Sequence, residues 1–284
     1  MTARRGPARR PGLGDLLLPV YAAVAFLYLL TPIAYTFAFS FNDAGRSNLT
    51  WQGFTLDNWA NPCGAPAVCQ SVVNSLQIGL FATLVATVMG TMIAIALVRY
   101  RFRFRTGANL LLFLPLATPE VVLGAALLAQ FLNLRVNPGF ATIVLAHIMF
   151  CISFVVVTVK ARVAGLDPAL EEAAADLYAS ELQAFWRVTF PLLVPGISAA
   201  ALLAFSLSFD DFIITNFNSG NTDTFPKFVY VSATRGIPAQ ANVIGSFMFV
   251  LALVIVVGGQ LLAARRRRPA QPARPARPTD TASV

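Results

Sequence analysis

Six long apolar runs leave this chain few ways to fold. They cover roughly Leu16–Phe39, Val72–Val98, Leu110–Leu132, Phe140–Val159, Leu192–Phe209 and Val243–Leu262, with polar or basic stretches between them. About 20 apolar residues in a helix cross the ~30 Å hydrocarbon core of a bilayer. Backbone N–H and C=O groups find no water there and must pair within the segment, which favours helices. The chain is 57% hydrophobic and 12% charged, against about 25% charge in an ordinary soluble domain. The expected class is an all-α membrane protein with six transmembrane helices.

The first run is too long for the apolar region of a signal peptide and lacks a small-x-small cleavage site, so it reads as an uncleaved first span. The organisation follows: a basic tail over 1–12, a six-span domain over 13–264, and a Pro/Ala/Arg tail over 265–284 whose composition reads as disordered.

A net charge of +8 raises nucleic acid as a partner. The basic residues argue against it, because they sit at the ends of apolar runs and not on one stripe. Six spans put both termini on one side. That side carries Arg4, Arg5, Arg9, Arg10, Arg99, Arg101, Arg103, Arg105, Lys160, Arg162, Arg187, Arg265 to Arg268, Arg274 and Arg277, which is 17 of the 21 basic residues. The other side carries Arg46, Arg135, Lys227 and Arg235. Positive charge is retained in the cytoplasm, so a multi-pass plasma-membrane protein with cytoplasmic termini is expected.

Of the 13 acidic residues, only Glu120, Asp210 and Asp211 lie in or at the end of a span. Intramembrane acids are functional candidates by default. Glu120 follows Pro115 and Pro119, which interrupt a helix, and it stands about 14 residues, or ~21 Å, into the third span. A broken helix bearing a carboxylate at mid-depth suits a substrate path. The plainer alternative is a protonated side chain bonded to a freed carbonyl. Asp210 and Asp211 close the fifth span, either as helix-end solvation or as attraction for a cation. No span has a basic residue in its interior, and that pattern suits a positively charged cargo.

The only histidine, His147, lies in the fourth span and reads as packing or an interhelical hydrogen bond. Cys151, one turn on, reads as core. Cys63 and Cys69 sit in an outer loop, where they either form a disulfide or stay free; spacing leaves both open. No metal spacing, phosphate loop or serine–histidine–aspartate set is apparent, so no metal or cofactor site is expected.

The segment Glu171–Pro191 is the one polar, helix-forming stretch between spans, and the charge distribution places it in the cytoplasm. Glu172, Ala173, Ala174, Tyr178, Val188, Phe190 and Pro191 fit E-A-A-x3-G-x9-I-x-L-P, with Tyr178 where glycine is usual. This resembles the EAA motif of permease subunits in bacterial ATP-binding-cassette importers. The phrases LPLATPEVVLG, LSFDDFIITNFNSG, FPKFVYVSATRGIP and NVIGSFMFV resemble the spermidine/putrescine permease family, C-type subunit. The resemblance implies a type I importer fold with a coupling helix in 166–191, between spans four and five. It assigns ATPase coupling to Glu171, Glu172, Ala173, Ala174, Asp176, Tyr178 and Ala179, while the cargo path at Glu120, Asp210 and Asp211 is read from their being membrane acids. It also implies the partners: a second homologous permease, two ATPase subunits that hold ATP and Mg, an extracytoplasmic polyamine-binding protein, and membrane lipid. Ferric iron or an opine-like cation are alternative cargoes. A secondary transporter or channel would call for internal repeats. A membrane enzyme would call for a catalytic constellation. Neither is seen in the sequence. Glycine allows a tight turn, so Tyr178 makes the bend after Leu177 the expected point of departure.

Overall fold

The computed structural model describes residues 13–45 and 48–266. Their ordered backbone is helical, apart from one isolated antiparallel bridge between Asn42 and Phe54. In chain order the helices are α1 (Leu13–Ser40), α2 (Asp57–Ala60), α3 (Val68–Arg99), α4 (Arg105–Ala117), α5 (Glu120–Asn133), α6 (Phe140–Ala164), α7 (Ala169–Asp176), α8 (Glu181–Ala184), α9 (Phe190–Asp210), α10 (Ile213–Asn218), α11 (Phe225–Arg235) and α12 (Ala239–Arg266), with a π turn at Phe185–Thr189. The predicted tails lie outside the described residues, except that α12 carries helix through Arg266.

The core is the bundle of α3, α6 and α9. Lipid tails are as apolar as leucine, so helices associate in a bilayer through close backbone approach. The buried face of α3 supplies it with Ser71, Ser75, Gly79, Ala82, Ala86, Gly90 and Ala94. A Cβ on Gly90 would lie 2.6 Å from Val155 Cγ1 of α6. Larger apolar residues such as Leu80, Leu84, Met92 and Leu202 are exposed, which is the lipid-facing half of the same pattern. The first span, α1, packs chiefly on α12.

One expectation is met and two need correction. The third span is broken as expected, and the break falls at Pro119: α4 and α5 meet at a bend of 110°. Pro119 has no N–H to donate and pushes Thr118 into extended backbone, ψ 132°. Thr118 closes α4 by donating to the Leu114 carbonyl with both its N–H and its hydroxyl. Pro115 stays inside α4.

The fifth span starts earlier than Leu192. From Glu181 to Asp210 the chain is one 30-residue helix, running unbroken from the polar segment through the π turn.

The stretch after Asp210, read as a loop, contains α10 and α11. Helix α10 packs on α5 and α6, with Ile214, Thr215 and Asn218 buried. A Cβ on Gly124 of α5 would meet Phe217 at 2.9 Å. Gly220 has φ +52°, and a Cβ there would lie 2.4 Å from Pro138 O, so only glycine fits. Six and eleven residues are too few for a helical period to stand out from composition.

On the same side of the molecule, Cys63 and Cys69 are joined as a disulfide with Cα atoms 5.3 Å apart. Beside them the buried Asn42 amide donates to Asn48 Oδ1 at 2.6 Å, and Trp59 Nε1 donates to Ser40 Oγ at 3.1 Å.

Candidate functional site

Two sites stand at opposite ends of the 30-residue helix. The first is the α7–α8 element. Glu171 and Glu172 occupy the first turn of α7, where the positive helix end favours them. They do different things. Glu171 pairs with Arg99 at the end of α3 and accepts from the hydroxyl of Thr189 in the π turn. It is an internal tie between three elements. Glu172 is exposed, as are Ala173, Asp176 and Tyr178, while Ala174 is buried and Ala179 half-buried. The free face also carries Leu177 and Leu182, both exposed.

The bend after Leu177 is a Schellman turn. Ala179 N–H donates to Ala174 O at 3.1 Å and Tyr178 N–H to Ala175 O at 2.9 Å. The residue between them must be left-handed, and Tyr178 takes that conformation with φ +61°. Its ring is 98% exposed, so nothing in the chain offsets the strain. Ser180 then caps α8 in a capping box with Gln183. The turn usually given to glycine is therefore made by tyrosine. Tyr178→Gly is expected to stabilise the turn by about 1 kcal/mol and to slow hydrogen exchange at the Ala179 amide about fivefold. Unchanged exchange would mean that the strain is relieved elsewhere.

The second site lies where two helix breaks meet. The α4–α5 break presents Glu120 and the α9–α10 break presents Asp210, and both line one cavity of about 360 Å³ with Phe150, Ser206 and Phe212. Glu120 opens α5 and is favoured by that helix's positive end. Asp210 ends α9 and meets the negative end, which disfavours its charge unless a cation is near. Both side chains are on exposed residues, and no basic group pairs with either among the described residues. Phe212 stacks near Tyr230 with centroids 4.3 Å apart.

Asp211 also lines this cavity, but its carboxylate is engaged by the chain's own donors. Its side chain is 4% exposed and accepts from the Ile214 and Thr215 amides at 3.2 and 2.7 Å. It also lies 3.1 Å from His147 Nε2. A carboxylate only accepts, so Nε2 is the protonated ring nitrogen and donates to it. Nδ1 is hydrogen-bonded with the Ser208 hydroxyl at 2.7 Å. Serine, histidine and aspartate thus come together, which the sequence did not suggest. All three side chains are buried, and Ser208 does not line the cavity at Glu120 and Asp210. Their geometry is that of a bridge joining α6, α9 and the first turn of α10.

Residues 86–268 match the family described as "Binding-protein-dependent transport system inner membrane component". The chain belongs to that family. As an inner membrane component it is 34% identical over 252 residues to the spermidine/putrescine transport system permease protein PotC of Escherichia coli (strain K12), covering 88% of this chain and 95% of that one. It is also 34% identical over 247 residues to the putrescine transport system permease protein PotI of the same organism, covering 84% and 87%. Among solved structures it resembles a chain of a bacterial ABC transporter involved in the import of the acidic polysaccharide alginate, with TM-score 0.64 and 17% identity over 89% of this chain and 98% of that one. That likeness places the inner membrane component in the type I importer permease fold.

Within this family member the structure gathers Glu120, Asp210 and Asp211 around one cavity, with the Asp211 carboxylate taken up by His147 and the α10 amides. It sets Glu172 on the free face of α7 and turns Glu171 inward. Arg99, Thr189 and His147 are residues that the sequence did not single out as part of either site. Arg99 lies 72 residues from Glu171, and no local pattern links the two.

Proposed function

We propose that this chain is the permease subunit that carries polyamines such as spermidine or putrescine across the plasma membrane in an ATP-driven importer. The observation that carries the reading is the pair of unpartnered acids, Glu120 and Asp210, at converging helix breaks beside Phe150 and Phe212. A linear polycation gains ion pairing from the carboxylates and cation–π attraction from the rings. The names of PotC and PotI support the same cargo.

In this reading the complex holds a second permease of the same kind, two ATPase subunits that bind ATP and Mg, and an extracytoplasmic binding protein. The chain itself needs no cofactor. The free face of α7 and α8 meets the ATPase. Movement there passes up the single helix Glu181–Asp210, ~45 Å long at 1.5 Å per residue, and shifts Asp210 at the far end. The Glu171–Arg99 tie carries the same movement into α3. The termini face the cytoplasm. The distribution of arginine supports that orientation, and so does a disulfide on the opposite side, since disulfides persist outside the reducing cytosol.

The test is ligand-stimulated ATPase activity of the reconstituted complex with its binding protein, across putrescine, spermidine, ferric iron and an opine. Stimulation by the polyamines is expected. Glu120→Gln with Asp210→Asn is expected to lower polyamine uptake about tenfold with assembly intact. Stimulation by iron or the opine alone would overturn the cargo, and unchanged uptake by the double variant would remove the two acids from the path.

A further inference from the structure

A second groove lies away from both sites, between α4 and α6, about 410 Å³ in volume and lined by Thr106, Asn109, Leu110, Phe113, Val157 and Lys160 among others. Leu110, Phe113 and Val157 are exposed, so the groove opens toward lipid. Lys160 stands one turn from the end of α6, and Asn109 one turn from the start of α4. Such a position lets an ammonium reach headgroup level while its stem lies on apolar surface.

The side chain is held in place without being neutralised. Lys160 Nζ donates to Asn109 Oδ1 at 2.6 Å. Asn109 Nδ2 donates in turn to Arg105 O at 2.8 Å, which fixes the amide's orientation. The partner is therefore a neutral group, and two ammonium hydrogens remain. Among the described residues no carboxylate pairs with Lys160, Arg101, Arg103 or Arg105. The basic knot Arg99–Arg105 alternates with exposed Tyr100, Phe102 and Phe104, a composition suited to the membrane interface.

We propose that this groove binds one anionic phospholipid, its phosphate at Lys160 and Thr106 and one acyl chain along Leu110, Phe113 and Val157. An apolar trough ending in an unneutralised, oriented cation matches a chain ending in an anion, and a basic pocket between spans is a known kind of headgroup site. From the proposed transport reading it takes only that this end faces the cytoplasmic leaflet. Lipid retention is measured without transport, so failure of one does not entail failure of the other.

The full chain in detergent is given equimolar phosphatidylglycerol and phosphatidylcholine with the same acyl chains, and retained lipid is counted by native mass spectrometry. One phosphatidylglycerol per chain is expected, in clear excess over phosphatidylcholine. Lys160→Gln is expected to cut retention about fivefold. Val157→Trp, which fills the trough and changes no charge, is expected to cut it as well. Arg101→Gln removes an equal charge outside the groove and is expected to leave retention as it is. Matching thermal unfolding of the variants guards against a folding defect, and Val157→Trp still tests the site if Lys160→Gln does not fold. Equal retention of the two lipids overturns the site. So does an equal loss in Arg101→Gln, which marks diffuse attraction, or no loss in Val157→Trp. A Phe113→Cys cross-link to the second permease in the assembled complex, with no lipid retained there, would show a protein occupant and overturn it too.

Discussion

Glu172→Lys is expected to abolish ATP-coupled uptake while leaving the chain inserted and folded. Glu172 is exposed in the first turn of α7 and pairs with nothing in its own chain among the described residues. Reversing it removes no internal contact, so stability moves by a few tenths of a kcal/mol, as for other exposed charges. At the proposed ATPase interface the effect is different in size. Losing one partner of a buried charge pair costs about 2–5 kcal/mol, and reversal adds repulsion, so uptake falls at least ~100-fold. Uptake into vesicles and co-purification of the ATPase would both be measured. Wild-type uptake by the variant would sink the docking claim. Glu171→Gln supplies the contrast: it loosens the tie to Arg99 and Thr189, so it should lower thermal stability as well as transport.

The second large effect concerns Asp211. Asp211→Ala leaves the Ile214 and Thr215 amides without their acceptor and leaves His147 Nε2 only the Thr215 hydroxyl, 3.0 Å away. Each such loss costs about 1–3 kcal/mol, so about 3–5 kcal/mol is expected and little folded protein should accumulate. Asp211→Asn should be far milder. Its oxygen still accepts from the amides. Its NH2 can face His147 once the ring switches tautomer, so that Nε2 accepts and Nδ1–H donates to Ser208. Thermal unfolding of the two purified variants separates the roles. If alanine and asparagine are equally stable and both stop transport, Asp211 is a cargo ligand and not a bridge.

Much of the architecture was legible because the bilayer imposes a simple demand. Each span needs about 20 apolar residues; five helices meet it, and the bent pair α4–α5 makes a sixth only when counted as one span. The break at Pro119 was readable for an equally local reason, the missing N–H. The break after Asp210 carries no proline or glycine. Asp211 caps α10 locally, accepting from amides three and four residues on, but its bond to a histidine 64 residues away left no trace in the local sequence. The two adjacent aspartates looked alike in sequence and differ in the structure because the chain turns between them. The position of the Tyr178 turn could be read from motif spacing. That a tyrosine itself would go left-handed could not, since propensity argues against it. Glu171 and Glu172 likewise share one motif, and only the position of Arg99 tells the inward residue from the outward one.

The pairing of α1 with α12 has a consequence for how the protein is made. Roughly 200 residues separate the two helices, which at ~5–20 residues per second of synthesis is ~10–40 s. For that interval α1 sits in the bilayer without its chief neighbour. It has to persist there alone, and its sequence suits that wait. It is apolar all round from Leu16 to Phe39, the composition of a helix that lipid can surround. Of this pair, the helix made earlier waits in the bilayer, and the one made later completes its packing.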